Sequence, residues 1–288
     1  MWLLQYIREL IKPDQEWILK TPEQFRRQRE IQALWIGILA FSMPAFLYYS
    51  ARNGVGFRDT ISHFYYAPFL GDFFIIVTTC IGLLLLFYRG QSFFERCLAV
   101  AVGICAILVA FVPTTTSGLE VSELPSRIFA FQLPMQAGEL PENSFLEKRP
   151  EFALIHGAMA AGLFSILAFF SLFVFTALDN DNELQSAPGN KNKLIRNWIY
   201  KISGCVIAIC VLALAANKIW DLEGGGNFPI WDRKNLTFHF EWLALASFGI
   251  SWIVKGRAGG FMLRDDKPNQ VFALPDKLVD ASIMWKEK

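Results

Sequence analysis

Histidine is scarce in this chain. There are three in 288 residues, and no HxxxH or HExxH pair occurs, so no local zinc signature is present. The five cysteines form no CxxC and no CxxCH, which removes a zinc knuckle, a dithiol motif and covalent haem attachment. Charge is thin too, at 18% of residues with a net +1, so no broad basic field exists to attract nucleic acid. No internal repeat is visible.

What the chain has instead is long apolar runs. Six stretches, roughly 32–50, 69–88, 93–112, 152–177, 197–217 and 237–255, each come near the ~20 residues a helix needs to cross the ~30 Å hydrocarbon core. Backbone in lipid must satisfy its own hydrogen bonds, so these stretches read as helices. The fold class is all-α: an integral membrane bundle of six transmembrane helices with an N-terminal amphipathic interfacial helix. Hydrophobic residues make up 53% of the chain, and 27 Phe supply lipid-facing bulk. Cys80, Cys97, Cys105, Cys205 and Cys210 fall in or beside the runs, where a thiol acts as a small apolar group.

Cation placement sets the expected orientation. Nineteen of the 27 Lys and Arg flank one side: the segment before the first run, the 2–3 and 4–5 connections, and the tail. Eight flank the other side. Lys and Arg accumulate in cytoplasmic loops, so both termini are placed in the cytoplasm, in a bacterial inner membrane. No cleavable leader is expected, because Met1-Trp2-Leu3-Leu4 is too short an apolar opening, and the first run serves as a signal anchor.

The organisation then follows as three parts. Residues 1–30 form a cytoplasmic segment in which Trp2, Leu3, Tyr6, Ile7, Leu10 and Ile11 recur at helical spacing. Such a helix lies on the inner leaflet or docks on a partner protein. Thr21-Pro22-Glu23-Gln24 resembles a capping box with Pro at the first helical position, and Pro44 is expected to kink the first span. Residues 31–256 are the transmembrane domain. Its one long outer loop, 113–150, carries five prolines together with Ile128, Phe129 and Phe131, and is expected to cap the outer mouth. Residues 257–288 are a cytoplasmic tail mixing charge with Phe261, Leu263, Val271 and Phe272. Trp35, Tyr200, Trp220 and Trp231 read as interfacial aromatics.

Five ionisable residues fall near the outer ends of the even-numbered spans: His63, Asp72, His156, His239 and Glu241. Acids at membrane depth are costly and mark candidate sites. Asp72 and Glu241 are the candidate catalytic acids. His63, His156 and His239 are candidate ligands of a divalent metal, or interfacial residues bonded to loop carbonyls. A bis-histidine haem would use His156 with His239. Ser62, Tyr65, Tyr66 and Arg127 are candidate ligand-binding residues around them. At about 100° per residue, His239 and Glu241 diverge by roughly 200°, so only one can face the bundle axis. Glu241 is expected inward. For Asp72 the alternative is a buried acid paired with Tyr65, Tyr66 or Arg127. Gly157, Ala158, Ala161 and Gly162 form small-xxx-small pairs suited to close helix packing.

Two resemblances extend this. Ile61-Ser62-His63-Phe64-Tyr65-Tyr66 with Gly71-Asp72-Phe73-Phe74, Tyr88-Arg89-Gly90, and Phe240-Glu241-Trp242 through Gly256 resemble an uncharacterised family of bacterial multi-pass membrane proteins, over roughly 60–256. That likeness implies the fold. A remoter likeness is to the CREST hydrolases, which include alkaline ceramidases and hold zinc with a Ser, an early His, an Asp and a late HxxxH. Here Ser62 is followed four residues on by Tyr66, Asp72 lies on the same span, and there is no late pair. Three roles follow as expectations. The first is a non-catalytic lipid- or partner-binding protein, with lipids in the bilayer and a protein partner at residues 1–20 and the tail. The second is a metal-dependent lipid hydrolase at the outer leaflet. The third is a proton-coupled transporter working through Asp72 and Glu241.

Overall fold

The computed structural model describes residues 22–55, 58–67, 69–90, 92–114, 150–176, 190–221, 229–264, 267 and 270–272. Six apolar helices make the body. They are α1 (Pro22–Ser50), α2 (Leu70–Leu86), α3 (Phe93–Phe111), α4 (Pro150–Phe169, continued by a wide turn over Phe170–Val174), α5 (Lys191–Trp220) and α6 (Leu236–Lys255). Residues 1–20, Arg127 and the segment 273–288 lie outside the described residues, as does nearly all of the loop 113–150.

Five of the six helices are long and apolar enough to cross a membrane. The second is shorter than its apolar run. Phe69 turns the chain at φ 59° just before Leu70, and Phe87 has left helical geometry, leaving 17 residues. At 1.5 Å per residue that is about 26 Å, against a hydrocarbon core of ~30 Å. Pro44 sits inside α1.

The helices pack in a closed ring in chain order: α1 on α2, α2 on α3, α3 on α4, α4 on α5, α5 on α6, and α6 back on α1. Lipid offers no hydrophobic drive for helices to associate, so close backbone contact and polar bonds have to do it. Glycine makes this possible at two seams. A methyl group on Gly37 would stand 2.6–2.7 Å from the backbone and side chain of Ile253 and the Gly249 carbonyl, and one on Gly249 would stand 2.8 Å from the Gly37 carbonyl. Gly82 and Gly103 face each other in the same way across α2 and α3. The expected small-residue contact at Gly157 is not made, since a methyl there meets nothing within 4 Å among the described residues.

Inside the ring an aromatic cluster surrounds Trp252. Tyr88, Phe170, Phe175 and Phe248 stand with ring centroids 5.1–5.9 Å from it. Tyr200 joins this cluster by packing on Phe175 at 5.2 Å, so it is buried rather than interfacial. Trp231 is also buried, and its indole N–H donates to the Thr237 hydroxyl at 2.7 Å.

The segment that follows α6 folds back on the start of α5. The Asn192 amide reaches the carbonyls of Arg264, Lys267 and Gln270 at 2.9–3.0 Å, and the Arg196 guanidinium donates to the Leu263 carbonyl at 2.6 Å. A short antiparallel bridge pairs Met262 with Phe272.

We predict that Gly249→Ala destabilises the bundle by roughly 1–3 kcal/mol, because its methyl would stand 2.8 Å from the Gly37 carbonyl and from the amide nitrogen and Cβ of Phe41, none of which a side-chain rotation can move away. Gly157→Ala should leave the unfolding midpoint in mild detergent unchanged. Equal midpoints for the two variants would remove the seam from the account.

Candidate functional site at the mouth of the bundle

The connection between α1 and α2 does not stay outside the bundle. Residues 58–67 turn inward, and Ile61, Phe64, Tyr65, Tyr66 and Ala67 are almost wholly buried. The apolar and aromatic side chains drive this, but they bring non-helical backbone with them. Such backbone is tolerated at depth only where neighbouring groups satisfy it.

The start of α6 supplies partners for that backbone, and the ends of α3 and α4 hold its side chains. The Phe238 N–H, one of the orphan donors in the first turn of α6, donates to the Asp59 carbonyl at 3.0 Å. The Glu241 carboxylate accepts from the Ile61 N–H at 2.6 Å. His156, near the start of α4, uses both ring nitrogens: Nδ1 lies 2.7 Å from the Val112 carbonyl, and Nε2 lies 2.9 Å from the Ser62 hydroxyl. The Val112 carbonyl is itself left over at the end of α3. The Tyr66 hydroxyl donates to the Thr114 carbonyl at 2.7 Å. Burial, with Tyr65 beside it, pushes the Tyr66 phenol well above its ordinary range, so it remains a donor. Within the segment the His63 N–H donates to the Thr60 hydroxyl at 3.0 Å.

The residues singled out in the sequence therefore separate into two groups. Ser62, Tyr66, His156 and Glu241 converge on the inserted segment. Tyr65 packs edge-on against Tyr66 at 5.0 Å, and His63 is buried beside them. His239 is exposed, with its ring 6.4–6.5 Å from those of Trp242 and Tyr48. Asp72 is exposed on the outer face of α2, away from the core. Among the described residues no three His, Cys, Asp or Glu side chains are grouped to hold a metal ion. The partners that sequence reasoning missed are backbone groups, the Val112 and Thr114 carbonyls and the Ile61 N–H, and these carry no residue-type signal.

A second polar feature lies at the other end of α2, α3 and α6. Glu95, buried to 2% exposure at the start of α3, accepts from the Tyr88 hydroxyl at 3.3 Å and lies 3.8 Å from the Lys255 ammonium. Burial, then the adjacent Glu95, push the Tyr88 phenol well up. Beside this cluster opens a cleft of about 380 Å³ lined by Leu86, Phe87, Tyr88, Arg89, Arg96 and Val100. Arg89 stacks over Phe25 at 5.7 Å, which ties the rim to α1. Ser92 caps α3 by accepting from the Glu95 N–H at 3.0 Å. The Ser-x-x-Glu spacing was the signal that could have found this cap.

The fold and the two polar ends define a polytopic helical membrane protein. No protein-family model matches the chain, and no solved structure matches it. A cytochrome c biogenesis protein CcsA from Trieres chinensis is 28% identical over 97 residues, which is 33% of this chain and 30% of that protein. The chain thus matches about a third of that relative's length.

We predict that Glu241→Leu, which strands the buried Ile61 N–H, costs about 1–3 kcal/mol. Glu241→Gln keeps an acceptor oxygen and should cost clearly less. Chemical unfolding in mild detergent measures both. Indistinguishable losses would mean that the bond to Ile61 contributes nothing to stability.

Proposed function

We propose that the protein is a lipid-binding component of a bacterial inner membrane, with its binding site in the cleft between α2 and α3. The carrying observation is the composition of that cleft. Leu86, Phe87 and Val100 offer apolar wall, and Arg89 and Arg96 offer two cations at the rim. A phospholipid has the same two parts, acyl chain and phosphate, in the same order. The cleft's volume of about 380 Å³ falls in the usual range for small-ligand sites. Basic pockets between helices on the cytoplasmic side are a recurring way to hold anionic headgroups.

The cation distribution along the chain supports placing this cleft and both termini at the cytoplasmic leaflet. Phe87 and Phe93 are strongly exposed beside the cleft, which suits contact with acyl chains. Phe261, Val271 and Phe272 are exposed on the folded-back tail, which supports a protein partner at the same side of the membrane. The likeness of residues 60–256 to uncharacterised bacterial multi-pass proteins fits this setting. In this reading the cleft binds and does not turn over its ligand.

Native mass spectrometry after extraction in mild detergent tests it. The wild type is expected to retain an anionic phospholipid. Each rim cation near a charged membrane is worth about 1 kcal/mol, so Arg89→Ala with Arg96→Ala should weaken retention about 30-fold. Retention unchanged in the double variant would overturn the assignment of the cleft.

A further inference from the structure

We propose that Ser62 is a nucleophile activated by His156, and that the mouth of the bundle accepts the carboxylic ester of a lipid. This is independent of the cleft, which lies at the other end of α2 and α3.

The bonding pattern fixes the chemistry of the pair. A carbonyl oxygen only accepts, so the contact of 2.7 Å between Nδ1 and the Val112 carbonyl puts the imidazole proton on Nδ1. Nε2 then carries a lone pair. The Ser62 hydroxyl, 2.9 Å away, donates its proton to that lone pair. A hydroxyl aimed at a bare imidazole nitrogen, whose opposite nitrogen is held by a third group, is the arrangement that makes serine nucleophilic. Here a helix-end carbonyl holds the ring where other proteins use a carboxylate.

The surroundings separate Ser62 from an ordinary buried polar bond. Ile61 and His63–Ala67 are all buried, and Ser62 alone in this stretch is partly exposed. Thr60, the other hydroxyl residue of the inserted segment, is also partly exposed, but its hydroxyl accepts from the His63 N–H, whereas the Ser62 hydroxyl faces an imidazole. The backbone around it is held on both sides, with the Ile61 N–H on Glu241 and the His63 N–H on Thr60. His156 is 3% exposed, so the base is screened while the nucleophile is not. On α4 beside it, Leu154 is 74% and Ile155 41% exposed, and Gly157 and Ala158 are exposed as well. That apolar, low-relief face points to an acyl chain running along α4 with its ester at Ser62.

The reaction balances as follows. The Ser62 oxygen attacks the acyl carbon, and its proton moves to Nε2. The tetrahedral adduct collapses with loss of the alkoxide, which takes that proton and leaves as an alcohol. Water then attacks the acyl–Ser62 ester, passing a proton to Nε2. Collapse releases the carboxylic acid and returns the proton to the Ser62 oxygen. The sum is ester plus water giving acid plus alcohol.

An alkyl fluorophosphonate tests the proposal on the full chain in mild detergent, because an activated serine displaces its fluoride and keeps the phosphonyl group. Peptide mass mapping should find the adduct on Ser62 in the wild type and none in Ser62→Ala. A general base contributes about 100-fold or more, so His156→Gln, if folded by its melting profile, should label at least about 100-fold more slowly. If His156→Gln does not fold, the wild type against Ser62→Ala still decides. No adduct at Ser62 in the folded wild type overturns the proposal. Undiminished labelling of folded His156→Gln does the same.

Discussion

The structure depends on one constraint: non-helical backbone carried into a membrane bundle has to find hydrogen-bond partners there. Residues 58–67 impose that demand by burying Phe64, Tyr65 and Tyr66 at the mouth. The answer comes from groups that helices leave unused. For the backbone that group is the Phe238 N–H at the start of α6, on the Asp59 carbonyl, while the Val112 carbonyl at the end of α3 and the Thr114 carbonyl beyond it hold the His156 ring and the Tyr66 hydroxyl. Where no backbone leftover reaches, His156 and Glu241 bridge. The starts of α4 and α6 and the end of α3 are thereby tied to one segment. The polar mouth is thus an interlocked unit, and its reactive potential at Ser62 arises from the same bonds that hold it.

The ring of six helices gives that unit its frame. Each helix touches the next, and α6 closes on α1 through the Gly37–Gly249 contact. Two glycines facing each other let backbones approach within reach of dispersion forces that bulkier residues would hold off. The far end is built on different lines. There Glu95, Tyr88 and Lys255 form a buried polar knot beside Trp252, next to a cleft with cations on its rim. A bundle with a bonded mouth and a basic cleft presents different chemistry to each face of a bilayer.

Much of the fold was legible because length and apolarity are properties of residue type. The runs at 93–112 and 237–255 became α3 and α6 almost residue for residue. The run at 69–88 overstates α2, since a backbone turn at Phe69 has no hydropathy signature. The site was legible only in part. Helical arithmetic separates His239 from Glu241, and in the fold one is exposed while the other bonds Ile61. It does not set the rotation of α2, which leaves Asp72 on the outer face. Nor does any residue type announce that a loop will turn inward, or that a carbonyl at Val112 will meet an imidazole 44 positions later. Those contacts follow from tertiary packing alone.

The central claim is that the mouth is locked by His156 as an Nδ1-protonated imidazole bridging Val112 and Ser62. Nitrogen NMR of protein labelled at histidine, with His63 and His239 replaced by Gln, observes that ring alone. A proton-bearing Nδ1 is expected, with a bare, hydrogen-bonded Nε2 whose resonance moves in Ser62→Ala. A proton on Nε2, or a spectrum indifferent to Ser62, would contradict it.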